Sequence, residues 1–127
     1  MRVTAAALAF LVTACATVAP RVAITGVADR LYCGRSIEGG GEVTDAEVER
    51  FLDEVVEPRF PEGYTVWTAV GHWQGGEEKS LVLEMVHPYG SNFDRKVREI
   101  ADEYRKRFRQ AAVLRTTTPA VIELIDE

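Results

Sequence analysis

A run of glycines precedes a helix-like stretch in residues 33–47, CGRSIEGGGEVTDAE, an order that is typical of phosphate-binding loops. The two common fingerprints of such loops, G-x-x-x-x-G-K-[ST] and G-x-G-x-x-G, are absent. Four carboxylates crowd the start of the helix and would repel an anion there: Glu38, Glu42, Asp45 and Glu47. The sequence therefore predicts a flexible connection into a capped helix rather than a phosphate site.

Three arginines are the candidate ligand-binding residues: Arg35, Arg59 and Arg115. Guanidinium groups bind a carboxylate or sulfate through two parallel hydrogen bonds, and several of them form an anion site when they converge. Arg35 ends one predicted strand and Arg115 begins another, so these two side chains could lie near one another. The alternative is ion pairing with the 20 acidic residues of the chain, which is the commoner situation in proteins.

Residues that ligate metals or act as nucleophiles are sparse. His72 and His87 are the only histidines, and neither is followed by a second potential ligand at metal-site spacing. We therefore predict two partly exposed strand histidines and no metal site. Cys33 or Ser36 could pair with a histidine as an activated nucleophile, but no nucleophile-elbow motif is present. The sequence thus predicts no catalytic, cofactor-binding or metal-binding residue.

The basic run YRKRFR at residues 104–109 interleaves cations with aromatic residues, as some nucleic-acid-binding segments do. Tyr104 and Phe108 are four residues apart, however, which places both on the apolar stripe of a helix. The cations then occupy the last helical turns, where the helix dipole favours them and where they could meet anionic lipid head groups. With a net charge of −5, the chain is predicted to have no nucleic-acid partner.

The first residues, MRVTAAALAFLVTACATVA, have the form of an export signal. Arg2 precedes the apolar run from Val3 to Ala14, which is shorter than the ~20 residues that a membrane-spanning helix needs. Val12-Thr13-Ala14-Cys15 resembles a bacterial lipobox, and this implies cleavage before Cys15 and lipidation of its thiol.

We therefore predict a signal peptide at residues 1–14 and a lipidated cysteine with its tether at 15–26. The protein would be an exported, membrane-anchored lipoprotein of the cell envelope, with the lipid on Cys15 as its contact with the membrane. The alternative is cleavage after Ala16, which would give a soluble secreted or periplasmic protein. Either route leaves Cys33 as a single thiol in an oxidising compartment, and its position inside a strand favours burial.

The rest of the chain alternates strand-like and helix-like segments of one domain, residues 27–127. Strands are predicted at 27–37, 64–74 and 80–87 and from Ala112 onward, with a turn at 75–78. Pro119 either interrupts the last strand or marks a sheet edge. Thr44 and Glu47 form a capping box for the first helix, which ends before Pro58, and Ser91 caps the second. Helical spacing relates Val48, Phe51, Leu52, Val55 and Val56 in the first helix, and Phe93, Val97, Ile100, Ala101, Tyr104 and Phe108 in the second.

This order predicts the α+β ferredoxin-like fold, the split βαβ arrangement β-α-β-β-α-β. Both helices would cover one face of a four-stranded antiparallel sheet, because their apolar stripes need the same platform. The opposite face stays open, with Tyr32, Trp67 and Trp73 as candidates to occupy it. An exposed apolar sheet face usually has a partner, so we expect a homodimer formed through this face.

Several segments together resemble the bacterial domain of unknown function 3574 family: LYCGRSIEGGGEVTDAEVERFLDEVVEPRFPEG, GHWQG, SLVLEMVHP, YRKRF and VLRTTTPA. The resemblance runs from about Leu31 to Ala120. It implies a small predicted lipoprotein or secreted protein and brings no established activity, cofactor or catalytic residue. Cys33 departs from the family pattern, in which an aromatic residue is expected.

The functional prediction is an uncharacterised cell-envelope lipoprotein whose domain binds or interacts without catalysis. The alternative is a small dimeric α+β-barrel enzyme, monooxygenase- or isomerase-like, that acts on a small molecule. Only the fold supports that alternative by analogy. The identity of any small-molecule ligand is unknown at this level.

Overall fold

The computed structural model describes residues 22–125 and confirms the ferredoxin-like α+β prediction. Its elements are β1 (Ile24–Gly34), α1 (Asp45–Phe51) with a π-helical turn (Leu52–Val56), β2 (Thr65–Trp73), β3 (Gly76–Pro88), α2 (Ser91–Arg107) and β4 (Leu114–Ile122). The strands form one antiparallel sheet in the order β2-β3-β1-β4. The predicted signal peptide (1–14) and Cys15 lie outside the described residues.

None of the helices between residues 22 and 125 has the length and apolar character needed to cross a membrane.

Strand alternation separates the two faces of the sheet. Leu31 and Cys33 of β1 and Leu81, Leu83 and Met85 of β3 are fully or almost fully buried on the inner face. They share one core with the helix stripes, in which Phe51 packs edge-on against Tyr104 at a centroid distance of 5.2 Å. Both helices therefore cover the same face of the sheet, as the two apolar stripes predicted.

The first helix starts and ends through local chemistry. The capping box is present, because the Thr44 hydroxyl accepts from the Glu47 backbone N–H while the Glu47 carboxylate accepts from the Thr44 N–H. Near the end, Glu57 N–H donates to the Leu52 carbonyl at 2.9 Å, one residue further than in an α-helix. This wider turn lets Val55 and Val56 both reach the core before Pro58.

Some predicted boundaries are wrong. β1 begins at Ile24, which pairs with Ile122. Residues 24–26, predicted as the end of the tether, therefore belong to the sheet. The turn between β2 and β3 lies at Gln74-Gly75, whose φ values of 49° and 80° fit a two-residue type I′ hairpin and not a turn at 75–78. Gly90, not Ser91, is the N-cap residue of α2.

Candidate functional site

The outer surface of the sheet, here called the open face, has no covering element among the described residues. The register sets Trp67, Val82, Tyr32 and Leu114 side by side in one row across the four strands. Val82 is only 1% exposed, whereas Leu114 is 61% and Trp73 65% exposed. Tyr32, Trp67 and Trp73 thus share the open face, and a row of apolar side chains crosses it.

One ion pair lies in the middle of this face. Arg30 donates from Nη2 and Nε to Glu84 Oε1 at 2.7 and 3.1 Å, and these two residues are register partners on β1 and β3. The Arg30 guanidinium also lies 5.6 Å from the ring centroid of Trp67, within cation–π range. The open face therefore combines an apolar surface with one central charge of each sign.

The opposite, inner face holds a buried polar cluster around Asp29, which is 0% exposed. Arg115 on β4 donates from Nε and Nη2 to the two carboxylate oxygens, each at 2.8 Å, and the Thr117 hydroxyl donates to Oδ1. His87 on β3 places Nε2 2.9 Å from Oδ2. Arg115 also donates to Asp94 at 2.7 Å and so ties α2 to the sheet.

The electrostatics of Asp29 follow from these contacts. Burial by itself would raise the pKa of this carboxyl, but the hydrogen bonds from Arg115, Thr117 and His87 and the charge of Arg115 outweigh it and leave the pKa below its usual value. Asp29 is thus held as a carboxylate whose lone pairs are all used inside the fold.

An Asp–His pair is also part of many nucleophilic sites, but the second ring nitrogen of His87 decides against that role here. Nδ1 lies 2.8 Å from the Pro88 carbonyl oxygen, where a nucleophile would be expected in a triad. The ring stacks on Phe93 at a centroid distance of 4.9 Å and is 4% exposed, so the prediction of a partly exposed His87 is wrong. The cluster is built as a structural link between β1, β3, β4 and α2.

The Cys33 thiol is also not placed to act as a nucleophile. Cys33 is fully buried, as predicted, and burial raises its pKa to about 12, so it stays protonated and unreactive at neutral pH. Cys33 pairs with Leu81 in the sheet, whereas His87 pairs with Val27. Cys33 and His87 are therefore six residues, or about 20 Å, apart along the strands. Cys33 and His87 therefore cannot form the pair considered from the sequence. No metal-binding group of three ligands exists among residues 22–125.

The three candidate arginines have different partners. Arg35 is 4% exposed and donates to the Val43 carbonyl and to Asp45, which fixes the glycine loop against the start of α1. Arg59 donates to the Val55 carbonyl and to Glu99, and Arg115 binds Asp29 and Asp94. Each of the three arginines thus has at least one ion-pair partner within the chain. Joint binding of one ligand by the three arginines stays a prediction, and it would require these ion pairs to open.

The glycine loop is held by backbone geometry. Gly39, Gly40 and Gly41 all have positive φ, between 89° and 113°, which favours glycine at each position. Ile37 N–H donates to the Gly41 carbonyl, and Gly40 N–H donates back to the Ile37 carbonyl. The run of glycines thus serves a tight turn leading into α1.

Sequence reasoning missed Asp29. The available signal was its position: in β1 the inward residues Val27, Leu31 and Cys33 are apolar, and Asp29 interrupts their alternation. A carboxylate at a core position needs partners that remove the cost of burying its charge. Arg115, Thr117 and His87, on the two flanking strands, are those partners.

Comparison with solved structures adds similarity of fold alone. A phage SAM lyase in its apo state superposes with a TM-score of 0.55 at 17% identity, covering 81% of this chain and 91% of that one. A phage SAM lyase in complex with S-methyl-5'-thioadenosine superposes with a TM-score of 0.52 at 16% identity, covering 78% of this chain and 90% of that one. A designed protein with a ferredoxin fold matches at a TM-score of only 0.36, at 14% identity, covering 77% and 84%.

No functionally curated protein matches the chain. Residues 28–124, most of the described domain, match one family of proteins of unknown function. The match covers the open face, the Asp29 cluster and both helices. The chain therefore belongs to the family described as Protein of unknown function, DUF3574.

Proposed function

We propose that the protein is a non-enzymatic interaction domain of the cell envelope that pairs with a second copy of itself through the open face. A lipid on Cys15 would hold the pair at the membrane. The register of charges and apolar residues on the open face supports this proposal, because one rotation of the face onto itself matches the groups of its two central rows with suitable partners.

The rotation is a two-fold axis that runs along the strands between β1 and β3. It lays β1 of one protomer over β3 of its partner and keeps each residue at its own level along the strand. Because Arg30 and Glu84 are register partners, each Arg30 then faces Glu84 of the partner subunit. A two-fold interface requires such reciprocal pairing.

The same rotation matches the remaining rows. Tyr32 faces Val82 of the partner subunit, and Trp67 on one edge strand faces Leu114 on the opposite edge strand of the partner subunit. Stacked sheets in proteins keep their strands aligned within about 30°, which this arrangement satisfies. Apolar groups thus meet apolar groups, and each central charge meets one of opposite sign.

The open face is large enough for this role. Strands about 4.8 Å apart and about 3.3 Å long per residue give a four-stranded face of roughly 19 by 30 Å over the nine-residue length of β2 and β4. That projected area, about 570 Å² before side-chain relief, is comparable with the ~800 Å² of accessible surface that each partner buries in a standard interface.

The alternative, a small dimeric α+β-barrel enzyme with monooxygenase- or isomerase-like activity, would use the same pairing of sheets and place a pocket between them. The phage SAM lyase shares only the fold with this chain, so its activity is not carried over. The open face favours binding over catalysis, because Arg30 and Glu84 neutralise one another and Val82 fills the centre.

Charge reversal tests the proposal. In a Cys15→Ser chain, which cannot be lipidated, we expect sedimentation equilibrium to show a dimer. Arg30→Glu and Glu84→Arg should each weaken it by about 10-fold or more, the effect of about 1.4 kcal/mol. Arg50→Glu, on the helix layer, is the matched control and should leave the dimer unchanged.

Mixing the two reversed variants separates pairing between chains from pairing within one chain. An equimolar mixture of Arg30→Glu and Glu84→Arg restores opposite charges across the interface only, so it should regain the dimer as a heterodimer. A monomeric parent chain, or a mixture that stays as weak as its components, would refute the proposed interface.

A further inference from the structure

A second surface lies at the end of the sheet where β1 begins and where β3 and β4 end. Among the described residues, six of the eleven exposed large apolar side chains belong to this end: Val22, Ile24, Tyr89, Val121, Leu124 and Ile125. Their exposure reaches 87% at Leu124. We call this set the apolar end.

The register explains why these side chains lie together. Ile24 pairs with Ile122, and Gly26 pairs with both Pro88 and Ala120, so the first strand enters where the other two finish. Tyr89 directly follows β3, and Leu124 and Ile125 follow β4. The inner-face core extends only as far as Val27 at this end, which leaves the apolar end outside the part that the helices cover.

We infer that the apolar end lies against the lipid surface to which Cys15 is anchored, with Leu124, Ile125 and Tyr89 in the interfacial layer. The inference rests on the proposed lipidation of Cys15. The chain between Cys15 and Ile24 spans at most about 30 Å when fully extended. The anchor therefore keeps the end at which β1 enters within about 30 Å of the bilayer.

The chemistry of the apolar end fits lipid. Apolar area gains free energy on leaving water, and tyrosine is favoured at the level of the head groups. Six exposed apolar residues at the end that carries a membrane anchor lower the solubility of the domain unless the lipid surface covers them. The association adds to the free energy with which the lipid anchor holds the domain at the membrane.

Charge distinguishes this surface from a basic lipid-binding patch. The cations of α2, Arg105, Lys106 and Arg107, lie in its last turn, at the end of the sheet where β4 begins. In the sequence, this end has one cation, Arg21, directly before Val22, and three acidic residues after β4: Glu123, Asp126 and Glu127. We therefore expect insertion of apolar side chains into zwitterionic lipid, with little gain from anionic lipid or from low salt.

The proposed dimer is compatible with this orientation. A two-fold axis along the strands leaves both copies of β1 entering at the same end of the dimer. Both anchors and both apolar ends then face one membrane. A two-fold axis across the strands would place the two ends on opposite sides, where two short tethers could not both reach the bilayer.

Spin labels measure the contact directly. The full-length protein is purified from membranes of its expression host and reconstituted into phosphatidylcholine vesicles, with a nitroxide attached at Leu124→Cys. The control is Val70→Cys, which is 62% exposed near the opposite end, more than about 35 Å away along the strands. The buried Cys33 and the lipidated Cys15 do not compete for the label.

We expect the ratio of oxygen to nickel-chelate collision rates to be several-fold higher at position 124 than at position 70. That ratio should be unchanged by adding phosphatidylglycerol or salt. Equal, water-like ratios at both positions in a chain whose intact mass includes the lipid would refute the docking while leaving the anchor in place. An intact mass that corresponds to an unmodified chain cut after Ala16 would refute the anchor itself, and the docking with it.

Discussion

Replacing Asp29 with asparagine is expected to lower the free energy of unfolding by about 3–5 kcal/mol, the usual effect of removing one partner from a buried ion pair. The variant keeps the shape of the side chain but leaves the Arg115 guanidinium without its bidentate carboxylate. Urea denaturation of Asp29→Asn and the parent chain, both carrying Cys15→Ser and at equal protein concentration, measures the difference.

The matched control is Asp102→Asn, since the Asp102 side chain is 60% exposed and its ion pair with Arg105 is long, at 3.9 Å. Loss of an exposed pair changes stability by at most about 1 kcal/mol. Similar, small effects of both substitutions would show that the Asp29 cluster is not a structural link.

The same carboxylate should contribute to the loss of stability at acid pH. Because the folded state lowers the pKa of Asp29, its contribution is complete above the unfolded value of about 3.9 and is lost as the pH falls through the lower folded value. Below about pH 4, the parent chain should lose stability more steeply than Asp29→Asn. Parallel profiles for the two chains would contradict that assignment.

Replacing Phe51 with alanine is expected to cost about 3–5 kcal/mol, because the ring is fully buried and its loss leaves a cavity. Phe51 joins the two helices, with its ring 5.2 Å from that of Tyr104 and 5.9 Å from that of Phe108. For a domain of this size, the melting temperature should fall by at least about 12 °C in calorimetry.

Tyr89→Ala is the control for an aromatic residue outside the core, since Tyr89 is 60% exposed. In the unlipidated chain it should change stability by no more than about 0.5 kcal/mol. A melting temperature that falls equally in both variants would mean that the two helices are not held by the Phe51 cluster.

The architecture could be predicted because local patterns and global packing agree. The apolar stripe from Val48 to Val56 and the apolar stripe of α2 must each be buried against an apolar surface. Strands whose alternate residues are apolar form such a surface on one face of the sheet. Thr44 and Glu47 identified the start of α1 correctly. The type I′ turn was misplaced because Gln74, a non-glycine residue, adopts positive φ there, which composition does not indicate.

The site could be predicted only in part. The aromatic residues of the open face follow from strand alternation, since Tyr32 and Trp67 flank Val82 in register. The Asp29 cluster depends on which strands are neighbours: Arg115 and Thr117 are distant in sequence and meet Asp29 only because β4 pairs with β1. The arginines were recognised, but their partners depend on the same long-range geometry.

The measurement that tests the proposed dimer most directly is cross-linking between the two edge strands. Thr65 and Thr116 lie on the open face at the level of Arg30 and Glu84, on β2 and β4 respectively. Within one chain they are three strand spacings, or about 14 Å, apart, whereas stacked sheets are about 10 Å apart. A bifunctional maleimide of roughly 10 Å therefore reaches between protomers but not across one sheet.

The account predicts that Thr65→Cys/Thr116→Cys, in the Cys15→Ser chain, becomes a covalent dimer on a denaturing gel with no higher species. Each single variant should remain a monomer, and an equimolar mixture of the two single variants should give the covalent heterodimer. A double variant that remains monomeric, or a ladder of oligomers, would contradict a closed two-fold dimer formed through the open face.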